Sequence, residues 1–300
     1  MNEQKNKILS IVIVAATALL GFEAISYTIR IYQLRPALHL SIYVYAFHIF
    51  WLAFVFDLHF KKRGVWAMLR PSHSGLHLFW AGLKERWAHL GQWAYLRHFL
   101  NYLVLPGILY WATVVLLFLN PFNHALKQSL IVAATFALSV AYWFMKEHVS
   151  RQLEHRASWI RVLAVVKLLA AGLAYAALLG VTFRYGFGGG FLLSSTMIVT
   201  FLLVYQALFQ HRLLTWRTFL WVVAIALGLG VCAFWVFRYW NTQYFTGGLV
   251  MLAVYNTLWG LLHHYLDQTL TRRVVLDYLM MAVFVISVLL ASHNFHQQII

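Results

Sequence analysis

Two adjacent histidines, a carboxylate and an arginine pair close one apolar run near the C-terminus, Trp259-Gly-Leu-Leu-His-His-Tyr-Leu-Asp-Gln-Thr-Leu-Thr-Arg-Arg273. On a helix, His263 and Asp267 are four residues apart and His264 and Asp267 three, so the carboxylate can reach back to either imidazole. A metal-binding histidine commonly gives its second ring nitrogen to a carboxylate or carbonyl, and Asp267 is placed to do this. A polar helix end at a membrane surface accounts for the same residues without metal.

The chain has 15 histidines, and ten are expected on one side of a membrane: His59, His73, His77, His89, His98, His148, His155, His211, His263 and His264. Alternate spans end near one of them, with His59 after the second, His148 after the fourth, His211 after the sixth, and His263 with His264 in the eighth. A tyrosine precedes each, at Tyr45, Tyr142, Tyr205 and Tyr255. His48 lies deeper in the second span. Imidazoles meeting at one end of a helical bundle can bind a divalent transition metal. The candidate ligands are His263, His264, His211, His148, His59 and His48, with Asp267 and Tyr255 as supporting residues around them. Histidine and tyrosine are also amphipathic side chains suited to interfaces, which is the rival explanation for their placement.

The elements that must position these residues are transmembrane helices. The 300 residues are 62% hydrophobic and 10% charged, with mean hydropathy +0.72, which excludes a soluble globular domain. Runs of about 20 apolar residues recur along the chain, each sufficient to cross a hydrocarbon core as a helix. The expected fold is all-α, a single polytopic helical transmembrane bundle over residues 1–300. About nine spans are expected, near Ile8–Thr28, Ala37–Asp57, Phe99–Leu119, Leu126–Met145, Arg161–Val181, Phe191–Phe209, Thr218–Phe237, Gly248–His264 and Val274–Ala291. The connector 61–98 carries Leu76, Trp80, Leu83, Trp87 and Leu90 on one helical stripe, so an amphipathic helix lying in the interface is expected there, as a belt or a lid. In the fifth span Gly172, Ala176 and Gly180 fall four apart, the pattern of a close helix contact. Tyr185 to Gly190 reads as a flexible turn.

A net charge of +15 would suggest nucleic acid for a soluble chain, but here its distribution across the membrane gives its meaning, and no nucleic-acid partner is expected. Seventeen basic residues fall on the N-terminal side of the spans. Five fall on the other, Arg30, Arg35, Lys127, Arg184 and Arg238, and Lys167 within a span completes the 23. Positive charge marks the cytoplasmic face, so the N-terminus is expected inside and the C-terminus outside. The single cysteine, Cys232, excludes an intrachain disulfide. Glu23, an intramembrane carboxylate, is a functional candidate by default, with a position near the headgroups as the alternative, and Lys167 can snorkel to the cytoplasmic surface.

The stretch Gly260-Leu-Leu-His-His-Tyr-Leu-Asp267 resembles the Gly-Leu-Pro-His-Gly-Ala-Leu-Asp-His motif of the Brp/Blh-type bacterial β-carotene dioxygenases, polytopic membrane proteins with histidine-bound iron. Gly260, Leu261, His263, Leu266 and Asp267 match. Leu262 replaces the proline, His264 the glycine and Gln268 the final histidine. The resemblance implies an iron-dependent oxygenase acting on a lipophilic substrate in a bacterial cytoplasmic membrane. Two alternatives stand beside it: a transporter using Glu23, His48, Lys167 and Asp267, and a non-catalytic membrane subunit. The bilayer and a lipophilic small molecule are the expected partners; the oligomeric state is not encoded in any pattern of the sequence.

Overall fold

Helices account for almost all of the computed structural model, which describes residues 2–32, 34–60, 84, 93–119, 123–149, 157–210, 213–240 and 243–292. Nine long helices follow one another among the described residues: α1 (Asn2–Ile31), α2 (Leu34–Phe60), α3 (Trp93–Leu119), α4 (His124–Val149), α5 (Ala157–Tyr185), α6 (Gly189–Gln210), α7 (Trp216–Tyr239), α8 (Tyr244–Leu266) and α9 (Arg272–Ser292). In lipid every backbone polar group has to be bonded within the protein, which is why apolar runs of this length become helices. Seven of the nine are long and apolar enough to cross a membrane, from Ile11–Ile31 to Arg272–Ala291, and Leu103–Leu119 of α3 forms a shorter apolar segment. The chain is a polytopic helical transmembrane protein. The amphipathic connector expected over 61–98 lies outside the described residues, apart from an exposed helical Lys84 and its last six residues, which open α3.

The described residues pack as two compact units. The first comprises 1–110 and 122–166, the second 111–121 and 167–300. In the first, α1 packs on α2 and α4. Val14, Ala18, Phe22 and Ile25 of α1 are buried at spacings of four and three, one stripe of the helix. Gly21 lets α2 approach, since a Cβ there would sit 2.6 Å from Val44 Cγ1.

In the second unit α6 and α7 form the most extensive helix pair, and α8 packs on both α7 and α9. Thr215 starts α7 with a reciprocal cap: its hydroxyl accepts from the Thr218 backbone N–H, and Thr218 Oγ1 accepts from Thr215 N–H at 2.7 Å. The stripe expected on α5 packs against α8 and its surroundings. Gly172 meets Leu252, Ala176 meets Gly248, and Gly180 faces Leu119 and Tyr244. The turn after α5 is closed by Gly186 at φ +68°, with Phe187 N–H donating to Thr182 O across it, so this connection has a defined C-terminal cap.

Candidate functional site

The end of α8 is shaped by its cap. Gln268 adopts φ 55°, the left-handed conformation usually left to glycine, so that Gln268 N–H donates to Tyr265 O and Thr269 N–H to His264 O. This reversal brings Thr269 Oγ1 to 2.8 Å from His264 Nδ1. One residue earlier, His263 Nδ1 lies 3.1 Å from Asp267 Oδ2, the four-residue pairing read from the sequence. The two side chains are 44% and 50% exposed, so the pair adds little to stability, about 0–1 kcal/mol, and its main effect is to orient the imidazole.

Aromatic edges frame the same turn. Trp259 lies edge-on to His263 at 6.1 Å between ring centroids, and Tyr278 of α9 lies edge-on to His264 at 5.7 Å. Tyr278 seats against Gly260, where a Cβ would overlap its ring. His263 and His264 themselves stand 6.3 Å apart with planes at 77°, each held by a different oxygen. Neighbouring residues on a helix point about 100° apart, and the caps fix these two as separate positions rather than a chelating pair. Each ring has Nδ1 engaged by an oxygen, so a ligand role for either falls to Nε2.

The other proposed ligands are distributed differently. Among the described residues, no group of three or more His, Cys, Asp or Glu side chains is placed to hold a metal ion. His211 lies outside the described residues, and His59 and His148 belong to α2 and α4 at positions whose side chains lie outside them. Tyr255 is buried and sits edge-on to Tyr175 at 6.1 Å, where the Tyr175 hydroxyl is 2.9 Å from Thr200 Oγ1. Tyr255 therefore belongs to the core of the second unit, about 12 Å of helix rise from His263. Glu23 accepts a hydrogen bond from Gln128 Nε2 at 3.4 Å, close to the start of α4.

His48 occupies the interior of the first unit. It is 2% exposed, and neither Nδ1 nor Nε2 has a hydrogen-bond partner among the described residues. Tyr142 of α4 stacks on it at 6.1 Å and 22°, and Tyr110 of α3 is tilted against it at 5.9 Å. Tyr110 is itself fixed, donating through its hydroxyl to Ser41 O at 2.7 Å and stacking between Phe22 and Tyr45. Pro106 and Gly107 lie at mid-length of α3, which runs on through them, and Gly107 leaves room for the Tyr45 hydroxyl; a Cβ there would lie 2.8 Å from that oxygen. A buried polar group without a partner costs about 1–3 kcal/mol, a penalty that a purely structural histidine would avoid.

Sequence reading missed Tyr110 and the Pro106–Gly107 pair within α3. The available signal was a proline–glycine pair in the middle of an apolar span.

No curated protein and no solved structure matches the chain. Residues 81–292, which cover α3 to α9 and the whole His263–Asp267 turn, match the family described as "Protein of unknown function (DUF5656)", and the chain belongs to that family.

Proposed function

We propose that this DUF5656 protein is a membrane-embedded oxidoreductase in which histidine-bound iron acts on a lipophilic substrate drawn from the bilayer. The observation that carries the reading is the 3.1 Å approach of His263 Nδ1 to Asp267 Oδ2, the arrangement by which a carboxylate fixes the tautomer and direction of a metal-binding imidazole. The resemblance of Gly260–Asp267 to an iron-oxygenase motif supports it. His263 is the first ligand in this reading, Asp267 its orienting residue, and His211, from the sequence pattern, the next imidazole. Bound iron would supply the activation of oxygen. The protein's part is to hold the imidazole and to keep the substrate in an apolar setting.

Metal content of detergent-purified protein, measured by mass spectrometry, tests this. Near-stoichiometric iron is expected in the parent protein and its loss in His263→Ala. Asp267→Asn is expected to weaken metal affinity by roughly 10- to 100-fold. Parent protein that stays metal-free after reconstitution with iron would sink the reading.

A transport reading is favoured by one separate observation, a proline inside the continuous α3, Pro106, one turn before the Tyr110 that tilts against the buried His48. Solute uptake into proteoliposomes by metal-free protein would support it over the enzyme. For orientation, we infer an N-terminus in the cytoplasm of a bacterial cell and a C-terminus across its cytoplasmic membrane, from the 17 basic residues on one side of the spans against five on the other. Reporter fusions are expected to be active inside when placed after Val149 or Gln210, and outside when placed after Tyr185 or Tyr239. The reverse pattern would overturn the assignment.

A further inference from the structure

Two stripes run along α9. Val275, Tyr278, Ala282, Val285 and Leu289, at spacings of three and four, are half-buried, and Tyr278 among them fills the notch at Gly260 of α8. At 3.6 residues per turn the opposite side of the helix is formed by Arg273, Asp277, Met280, Phe284, Ser287 and Ala291, again at spacings of four and three, and all six are exposed. Met280 and Phe284 are 61% and 69% exposed. A repeat of this kind is the seam of a left-handed helix pair. Ser287 and Ala291, four apart near its far end, let a second backbone come close.

Lipid alone does not account for this face. Asp277 stands five residues, about 7.5 Å of rise, inside the apolar segment Arg272–Ala291. Ionisable side chains within a span almost always face a partner. Among the described residues neither Asp277 nor Arg273 forms an ion pair. The two lie four residues apart, but a cation N-terminal to the anion is the weaker order for a pair within one helix. The stripe thus presents a cation and an anion one turn apart, and such a surface is complementary to itself. When a two-fold axis along the membrane normal relates two copies, Arg273 of each reaches Asp277 of the other.

We propose that α9 is the seam of a homodimer, in which the Arg273–Ala291 stripes of two copies pack in parallel, joined at one end by two reciprocal Arg273–Asp277 pairs and at the other by close approach at Ser287 and Ala291. The parallel arrangement follows from the common orientation of all copies in one membrane. Leu279 and Leu290, exposed on the flanks of the seam, stay in contact with lipid. This inference does not depend on iron at His263.

Disulfide cross-linking of the full-length protein in native membranes tests it. In a Cys232→Ala background, single cysteines replace Met280, Phe284 or Ser287 on the stripe, or Leu279 or Leu290 on the flanks, and copper phenanthroline is the oxidant. A covalent species of twice the 34.8 kDa chain is expected from the stripe positions and not from the flanks. Combined with Ser287→Cys, Asp277→Arg and Arg273→Asp are each expected to lower its yield about tenfold, because each sets like charges against one another in the seam. The double exchange Arg273→Asp/Asp277→Arg puts opposite charges back across the seam and is expected to recover most of the yield. Misfolding of either single variant would not be repaired in this way. Equal yields from stripe and flank positions would mean random collision and overturn the proposal. So would the absence of a cross-linked dimer at every stripe position, a cross-linked species that mass spectrometry identifies as this chain joined to a different protein, or a double exchange that recovers nothing.

Discussion

Gly248→Ala is expected to lower the thermal midpoint of the detergent-purified protein by roughly 5–10 °C. A Cβ at this position would lie 2.8 Å from both Cα and N of Ala176 and 2.9 Å from its Cβ. Those atoms are the backbone of α5 and its first side-chain carbon, so no rotamer change relieves the overlap and the two helices have to move apart. Overpacking of a close contact costs typically 1–3 kcal/mol, and backbone against backbone belongs at the upper end, about 3 kcal/mol. In a chain of this size that corresponds to the midpoint change given above. Helix association in lipid depends on close van der Waals approach more than on the hydrophobic effect, which makes a small residue at the crossing decisive. Gly228→Ala in α7 is the matched control. Nothing lies within 4 Å of its added Cβ, and helix propensity alone predicts a neutral or slightly stabilising change of up to about 1 kcal/mol. Equal midpoints for the two variants would refute the assigned contact.

Gly260→Ala is expected to have the second-largest effect because it disturbs packing and the candidate site together. The new methyl group would occupy the space of the Tyr278 ring, which now lies in the notch left by the glycine and also meets His264 edge-on. Unlike Ala176, Tyr278 can swing away, so the cost is smaller, about 1–2 kcal/mol. Its displacement loosens one of the contacts between α9 and the end of α8. Hydrogen exchange measured by mass spectrometry is expected to rise in the segment from Thr269 to Leu279. Coupling between the residues gives the decisive test. After Tyr278→Ala, the further change Gly260→Ala is expected to cost almost nothing, whereas independent sites would give additive losses.

The sequence disclosed most where the determinant is local. Apolar runs of about 20 residues announce helices, because lipid permits no other use of them. The His263–Asp267 pairing follows from a four-residue spacing, and the helix needs no outside help to make it. His264 behaves otherwise. Its partner Thr269 is five residues away and comes within reach because Gln268 takes a left-handed conformation, which a glutamine does not advertise. The small residues of α5 identified a contact surface, but Gly248, more than 70 residues further along, could not be named as the opposing backbone.

The recurrence of tyrosine and histidine was the most ambiguous signal. Sequence alone suggests a layer of imidazoles at one membrane face. Tyr45 and Tyr255 instead enter separate aromatic clusters, with Tyr110 in the first unit and Tyr175 in the second. His48 joins the first of these because α3 and α4 bring Tyr110 and Tyr142 to it from 62 and 94 positions away. Long-range placement of that kind leaves no periodicity to read.

The 20 residues of Arg272–Ala291 form an apolar segment with mean hydropathy 2.5, and among the described residues none in its most apolar window is fully buried. At 1.5 Å of rise per residue it is about 30 Å long, close to the hydrocarbon thickness of a bilayer. Helices wedged among neighbours take their inclination from packing, whereas α9, packed on α8 with Tyr278 against Gly260 and His264, leaves much of its surface to lipid. In a thinner membrane it leans further to shield its ends, and in a thicker one it stands upright. Because Tyr278 of α9 meets His264, a change of tilt is expected to reach the turn that orients His263, and acyl-chain length is expected to act on the candidate site.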